Sequence, residues 1–107
     1  MFIEQSDIDL SILVVSYNSR SETLACLASV LQYPPDCRFE LIVLDNASPD
    51  ASADAIAEAF PTVSLIRSQV NLGFAGGNNA AAAFARGRRL LLLNPDTLVQ
   101  AASLTKL

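Results

Sequence analysis

Two periodicities in the placement of apolar residues, one of strands and one of helices, give the element order of this chain. "LSILVVSYN", residues 10–18, is a continuous leucine and β-branched run, the pattern of a strand buried on both faces. "SRSETLACLASVLQY" follows, with Ser19 and Glu22 in capping-box spacing and Leu24, Leu27, Ala28 and Leu31 at helical intervals, which predicts a helix. Pro34 and Pro35 end it, because a proline ring has no N–H to continue the ladder. "FELIVLDN" predicts a second buried strand ending at Asp45, and "SPDASADAIAEAF" a helix with Ser48 as N-cap and Pro49 in its first position. "TVSLIRS" predicts a shorter third strand. "QVNLGFAGGNN" then supplies a glycine loop, and "NAAAAFARG" a helix of small residues, able to lie close to a sheet and closed by Gly87. "RRLLLLNPD" is expected as a fourth strand, buried and central, and "TLVQAASLTKL" as the beginning of a further helix. Tyr33, Phe39, Phe60 and Phe84 lie within or beside apolar stretches and are assigned to the core.

Strands alternating with helices at short intervals imply β-α-β units. These predict an α/β fold in three layers, with a mainly parallel sheet of about four strands between flanking helices. Residues 1–107 fit one domain. Polar residues gather just past three strand ends: Tyr17 and Asn18, Asp45 and Asn46, Asn94 and Asp96. In an open parallel sheet that edge is where ligands bind, so three separate loops are aimed at one crevice.

Composition narrows the chemistry. Apolar residues make up 51% and charged residues 17%, as in a packed domain; the net charge is −4, with no basic stripe for nucleic acid. Histidine is absent, which excludes a His-ligated zinc and a Ser/His or Cys/His nucleophile pair. Cys26 and Cys37 lack C-x-x-C spacing and read as packing residues in a reduced, intracellular setting. The start "MFIEQSDIDL" has no signal-peptide pattern, and no apolar run approaches the ~20 residues of a membrane span.

Each candidate group has a plainer alternative. Asp45 can accept from a base N–H, or make an Asx-type turn with Asn46 before the next helix. Asp96 is a hard oxygen ligand suited to Mn2+ or Mg2+, or a helix cap. Asn78 and Asn79 are expected near a helix N-terminus, where they bind an anion or cap. The loop lacks G-x-G-x-x-G and G-x-x-x-x-G-K-[ST], so dinucleotide and P-loop binding fit poorly. Arg86, Arg88 and Arg89, at the opposite edge, read as a solvated turn.

Taken together and in order, "SILVVSYN", "LIVLDNASPD", "NLGFAGGNN" and "LLLLNPDT" resemble the successive signatures of family 2 glycosyltransferases of the GT-A fold, in particular the rhamnosyltransferase-like branch. The resemblance implies transfer of a sugar from a nucleoside-diphosphate donor to an acceptor hydroxyl, with inversion, assisted by Mn2+ or Mg2+. It implies that Val15, Ser16, Tyr17 and Asn18 line the base pocket and that Asp45 hydrogen-bonds the base. Asn78 and Asn79 then lie near the donor, Asn94 approaches the ribose, and Asp96 is the metal and diphosphate ligand. Asn94 stands where an aspartate is usual, a substitution the rhamnosyltransferase-like relatives share. The family's catalytic base and acceptor site belong to the second half of its domain, so the chain reads as the N-terminal, donor-binding part. A glycan or lipid-linked acceptor would be met through regions beyond it, in the cytoplasm or peripheral to the inner face of the membrane. The uncovered sheet edge of such a half-domain favours association of copies into a homo-oligomer. A non-catalytic α/β binding or interaction module is the alternative; a receiver-type phosphoacceptor is disfavoured, because the first strand ends without an acidic pair.

Overall fold

The computed structural model describes residues 7–104. The chain runs β1 (Leu10–Ser16), α1 (Arg20–Gln32), β2 (Phe39–Asp45), α2 (Ser52–Ala59), β3 (Ser64–Arg67), α3 (Gly73–Ala82) and β4 (Arg89–Leu93). The four strands form one parallel sheet in the order β3-β2-β1-β4. Leu10, Ile12, Val14, Leu41 and Val43 pack on one face against Leu27 and Val30 of α1 and Ile56 of α2. Leu13, Val15, Ile42 and Leu44 pack on the other against Ala81 of α3. The three-layer α/β architecture expected from the sequence is therefore present.

The order of strands fixes where a ligand belongs. From β1 the chain steps outward to β2 and β3, then crosses on the opposite face to β4 on the other side of β1. Loops leaving β1 and β4 at their carboxyl ends consequently diverge and open a crevice between them.

Several local expectations are corrected. β4 is the edge strand of the described sheet, not a central one: Leu91 and Leu93 pack on the α1 and α2 face, while Leu90 and Leu92 are about half exposed beyond α3. A run of leucines cannot by itself tell a covered face from a bare one. The buried side of α1 is Thr23, Cys26, Leu27 and Val30, with Ala28 and Leu31 exposed, because the sheet accepts small polar side chains there. Tyr33 and Phe84 are exposed, whereas Phe39 and Phe60 pack against the core. No helix forms at residues 97–104; Val99 and Leu104 instead fold back into the core, and residues 105–107 lie outside the described residues.

The helix starts differ too. Ser19 and Ser48 do not cap by side chain. Asp50 does so for both helices, accepting from the backbone N–H groups of Arg20 and Ser52 at 3.1 Å each, after which the chain turns at Ala51 with φ +61°. A hydrogen bond from the Ser52 hydroxyl, before all other causes, holds the Asp50 carboxyl below its ordinary pKa. Helix α3 begins at Gly73, so Gly76, Gly77, Asn78 and Asn79 are helical and not loop, and it is over before Gly87. Glycine at 77 is a packing requirement: a Cβ there would stand 2.8 Å from Val15 Cγ1. At Gly87 a Cβ would lie 2.6 Å from the Ser11 backbone nitrogen, so this glycine admits β1 and does not end a helix.

Candidate functional site

The cleft between the β1 and β4 ends is lined by Val15, Tyr17, Ser19, Glu22, Phe74, Asn94, Pro95 and Asp96 and holds about 400 Å3. Its floor is the end of β1, where Val15 is buried and Tyr17 is 48% exposed. Asn18 takes a left-handed conformation, φ 49°, and its N–H donates to Ser48 Oγ at 3.0 Å, joining the loops after β1 and β2. Ser16 turns inward: its hydroxyl shares hydrogen bonds with Thr23 at 2.9 Å and Ser19 at 3.3 Å, and its carbonyl accepts from the Asn46 N–H.

Asp45 pairs in register with Ser16 at the end of β2, one strand from the cleft, and is 4% exposed. Its two carboxylate oxygens stand in different surroundings. Oδ2 accepts the Ser48 N–H at 3.1 Å, the turn; Oδ1 is buried with no partner among the described residues. Buried carboxylate oxygens are rarely left so, because desolvation without a compensating donor costs several kcal/mol, on the order of 1–3 by mutational measures.

Asn46 is a residue whose role the sequence did not reveal. It is 2% exposed, and its side-chain amide clasps the backbone on both sides of the Leu72–Gly73 peptide: Oδ1 accepts from Leu72 N at 2.8 Å and Nδ2 donates to Gly73 O at 2.9 Å. It thereby sets the start of α3 and the position of Phe74 in the cleft. This link between β2 and a segment 26 residues later depends on tertiary packing, which adjacency to Asp45 could only hint at. Asn78, 7% exposed, sits on the buried side of α3 and donates to Phe74 O at 3.2 Å, while Asn79 is exposed. Neither is at the helix N-terminus expected from the sequence, because α3 begins at Gly73.

Asn94, Pro95, Asp96 and Thr97 make a turn closed by a hydrogen bond from Thr97 N to Asn94 O at 3.0 Å. Proline is favoured at the second place of such a turn, and it sends Asp96 out at the tip. The exposed Asp96 carboxylate has no hydrogen bond or ion pair among the described residues. It is close enough to Cys26 to act on it: burial first, and then the charge of Asp96, push the Cys26 thiol up to about 11. At neutral pH this buried thiol is protonated, and it donates to Asn94 O at 3.7 Å.

A divalent cation fits this donor set in one particular way. Among the described residues no cluster of three His, Cys, Asp or Glu side chains exists to enclose a metal. The Asp96 carboxylate has no partner among the described residues, and Glu22, which the sequence places in capping-box spacing, lines the same cleft. One or two carboxylates at an open site suit Mg2+ or Mn2+, whose remaining ligands are water and phosphate oxygens.

Residues 11–107 match the family model for glycosyl transferase family 2. The chain is 37% identical over 87 residues to an uncharacterized glycosyltransferase of Haemophilus influenzae, covering 81% of this chain and 29% of that protein. It is 32% identical over 93 residues to the succinoglycan biosynthesis protein ExoO of Rhizobium meliloti, covering 86% and 26%. It thus spans less than a third of the curated relatives' length. Among solved structures, a mannosyltransferase of Pyrobaculum calidifontis in complex with GDP-Man and Mn2+ superposes with a TM-score of 0.77 at 26% identity, over 86% of this chain and 28% of that one. S. aureus TarS in complex with UDP superposes with a TM-score of 0.74 at 25% identity, over 83% and 28%.

Proposed function

The chain belongs to glycosyl transferase family 2, and on that premise we propose that it is the donor-binding part of an inverting glycosyltransferase. It takes a nucleoside-diphosphate sugar with a divalent cation, Mn2+ or Mg2+, for transfer to an acceptor hydroxyl on a glycan or lipid-linked molecule. The observation that carries this reading is the buried Asp45 Oδ1 without a donor, beside the strand end that floors the cleft. A nucleobase N–H supplies the missing donor, and a charged acceptor makes that bond one of the stronger kind. Tyr17 offers an exposed aromatic surface next to it.

Asp96, with its free carboxylate at a turn tip, holds the cation at the diphosphate end, and Asn94 beside it can hydrogen-bond a ribose hydroxyl. The cation, when bound, offsets the charge that grows on the departing diphosphate. Inverting displacement also requires a base to take the acceptor's proton. Asp45 and Asp96 are both engaged with the donor, so that base is a further group. That structural relatives were solved in complex with UDP and with GDP-Man supports a nucleotide ligand for this chain.

Thermal unfolding with UDP, dTDP and GDP, each with and without Mn2+, tests the proposal. A nucleotide at a hundred times its Kd should stabilise the chain by about 2.7 kcal/mol, and Mn2+ should increase its effect. Asp96→Ala should remove the Mn2+ increment alone. A folded chain whose midpoint responds to none of these would instead be a non-catalytic α/β interaction module.

A further inference from the structure

The turn that carries Asp96 is held at both ends by one helix, and nothing in the placement of Asp96 itself requires that. On the near side, Asn94 O accepts two donors, the Thr97 N–H that closes the turn and the Cys26 thiol of α1. On the far side, the Val99 N–H donates to Ser29 Oγ at 2.9 Å, and the Ser29 hydroxyl donates in turn to Cys26 O at 2.7 Å. The Val99 side chain, 6% exposed, joins the core cluster that contains Leu27 and Val30 of the same helix. Cys26 and Ser29 are three apart, hence neighbours on one side of α1. That side meets the segment 94–99 at its two ends, Asn94 and Val99.

We propose that Cys26 and Ser29 are positioning residues that fasten residues 94–99 to α1 and so hold the Asp96 carboxylate at the cleft. The role rests on the reading of Asp96 as the cation ligand given above. Neither residue touches the donor. A turn tip with an exposed carboxylate would otherwise sample many positions, and each unfastened conformation lowers the fraction competent to bind a metal-nucleotide complex. Asp45 is held by β2 and by Ser48, independently of this fastening. The two ends of the donor should therefore respond differently when α1 lets go.

The experiment measures UDP affinity with and without Mn2+ by calorimetry for the parent and for Ser29→Ala, Ser29→Thr and Cys26→Ala, along with amide hydrogen exchange. Ser29→Ala should reduce the Mn2+-dependent gain in affinity about fivefold, the worth of one net hydrogen bond. Its affinity without Mn2+ should stay within about twofold of the parent, and its Val99 amide should exchange faster by the same factor of about five. Cys26→Ala should repeat the loss of Mn2+-dependent gain, and Ser29→Thr, which keeps the hydroxyl, should restore the parent values. Equal losses with and without Mn2+ would mean a general structural role and overturn the proposal, as would parental gain in Ser29→Ala. A folded parent that binds UDP no better with Mn2+ would overturn the assignment of Asp96 itself, and the positioning role with it. Should Cys26→Ala not fold, Ser29→Ala and Ser29→Thr decide the question.

Discussion

Asp45 and Ser48 share one hydrogen bond, from the Ser48 N–H to Oδ2, and it satisfies one oxygen of a buried carboxylate while Oδ1 stays without a donor. Such an arrangement costs stability in the free protein and returns it when a donor arrives. Asp45→Asn should separate the two effects. An asparagine can present its oxygen to Ser48 and place its amide where Oδ1 was, removing a buried charge. Nucleotide affinity should fall about tenfold or more with or without Mn2+, as for loss of a charged hydrogen bond, while the thermal midpoint should not decrease. Calorimetry with UDP and a melting curve on one sample measure both.

How much of this was legible beforehand varies with the physics involved. The strands at Leu10–Ser16 and Phe39–Asp45 were clear because burial on both faces leaves a continuous apolar run. The convergence of Tyr17, Asp45 and Asp96 on one edge followed from parallel topology alone. The helix at Gly73–Ala82 was misplaced because glycines read locally as loop, whereas here Gly77 is selected by contact with Val15. The Asn46 clasp and the fastening by Cys26 and Ser29 join residues 26 to 70 positions apart, and local pattern has no access to them.

Gly77→Ala tests that selection. Alanine is the better helix former by about 1 kcal/mol, so propensity alone predicts a more stable protein. Its Cβ, however, would lie 2.8 Å from Val15 Cγ1 and 3.2 Å from Asn46 Nδ2, both on buried side chains. Overpacking should prevail with a net loss of about 1–3 kcal/mol, seen as a lower urea midpoint with the slope unchanged.

Leu90 and Leu92, 48% and 52% exposed, stand on one face of β4, an edge strand of the described sheet that is paired on one side only. Apolar edge strands pair with other chains. The 107-residue chain should therefore associate as its concentration rises, and Leu92→Lys should shift it toward monomer in sedimentation velocity while leaving nucleotide binding intact. Identical sedimentation of both proteins across the concentration range would place any association elsewhere.

Near the start of the interior strand β2, Glu40 ties three segments together. Its side chain is 9% exposed; Oε2 accepts from Ser11 Oγ at 2.6 Å and Arg86 N at 2.7 Å, and Oε1 accepts from Arg86 Nε at 3.4 Å. Burial by itself raises the pKa of this carboxyl, but the hydrogen bond from Ser11, those from Arg86 and the Arg86 charge outweigh it. The group is left below the ordinary value of 4.5. A depressed folded pKa contributes stability above the unfolded value, and that contribution is lost as pH falls through the folded one. Above pH 4.5 the Glu40 contribution should therefore be constant, and below it should decline with acid. Glu40→Gln carries no titrating carboxyl, so its stability should be lower than the parent's at neutral pH, with the gap closing as the pH is lowered beneath that point. Urea unfolding at a series of pH values reads the gap directly. A gap that stays constant from neutral to acid pH would assign the destabilisation to lost hydrogen-bond geometry and not to the charge of Glu40.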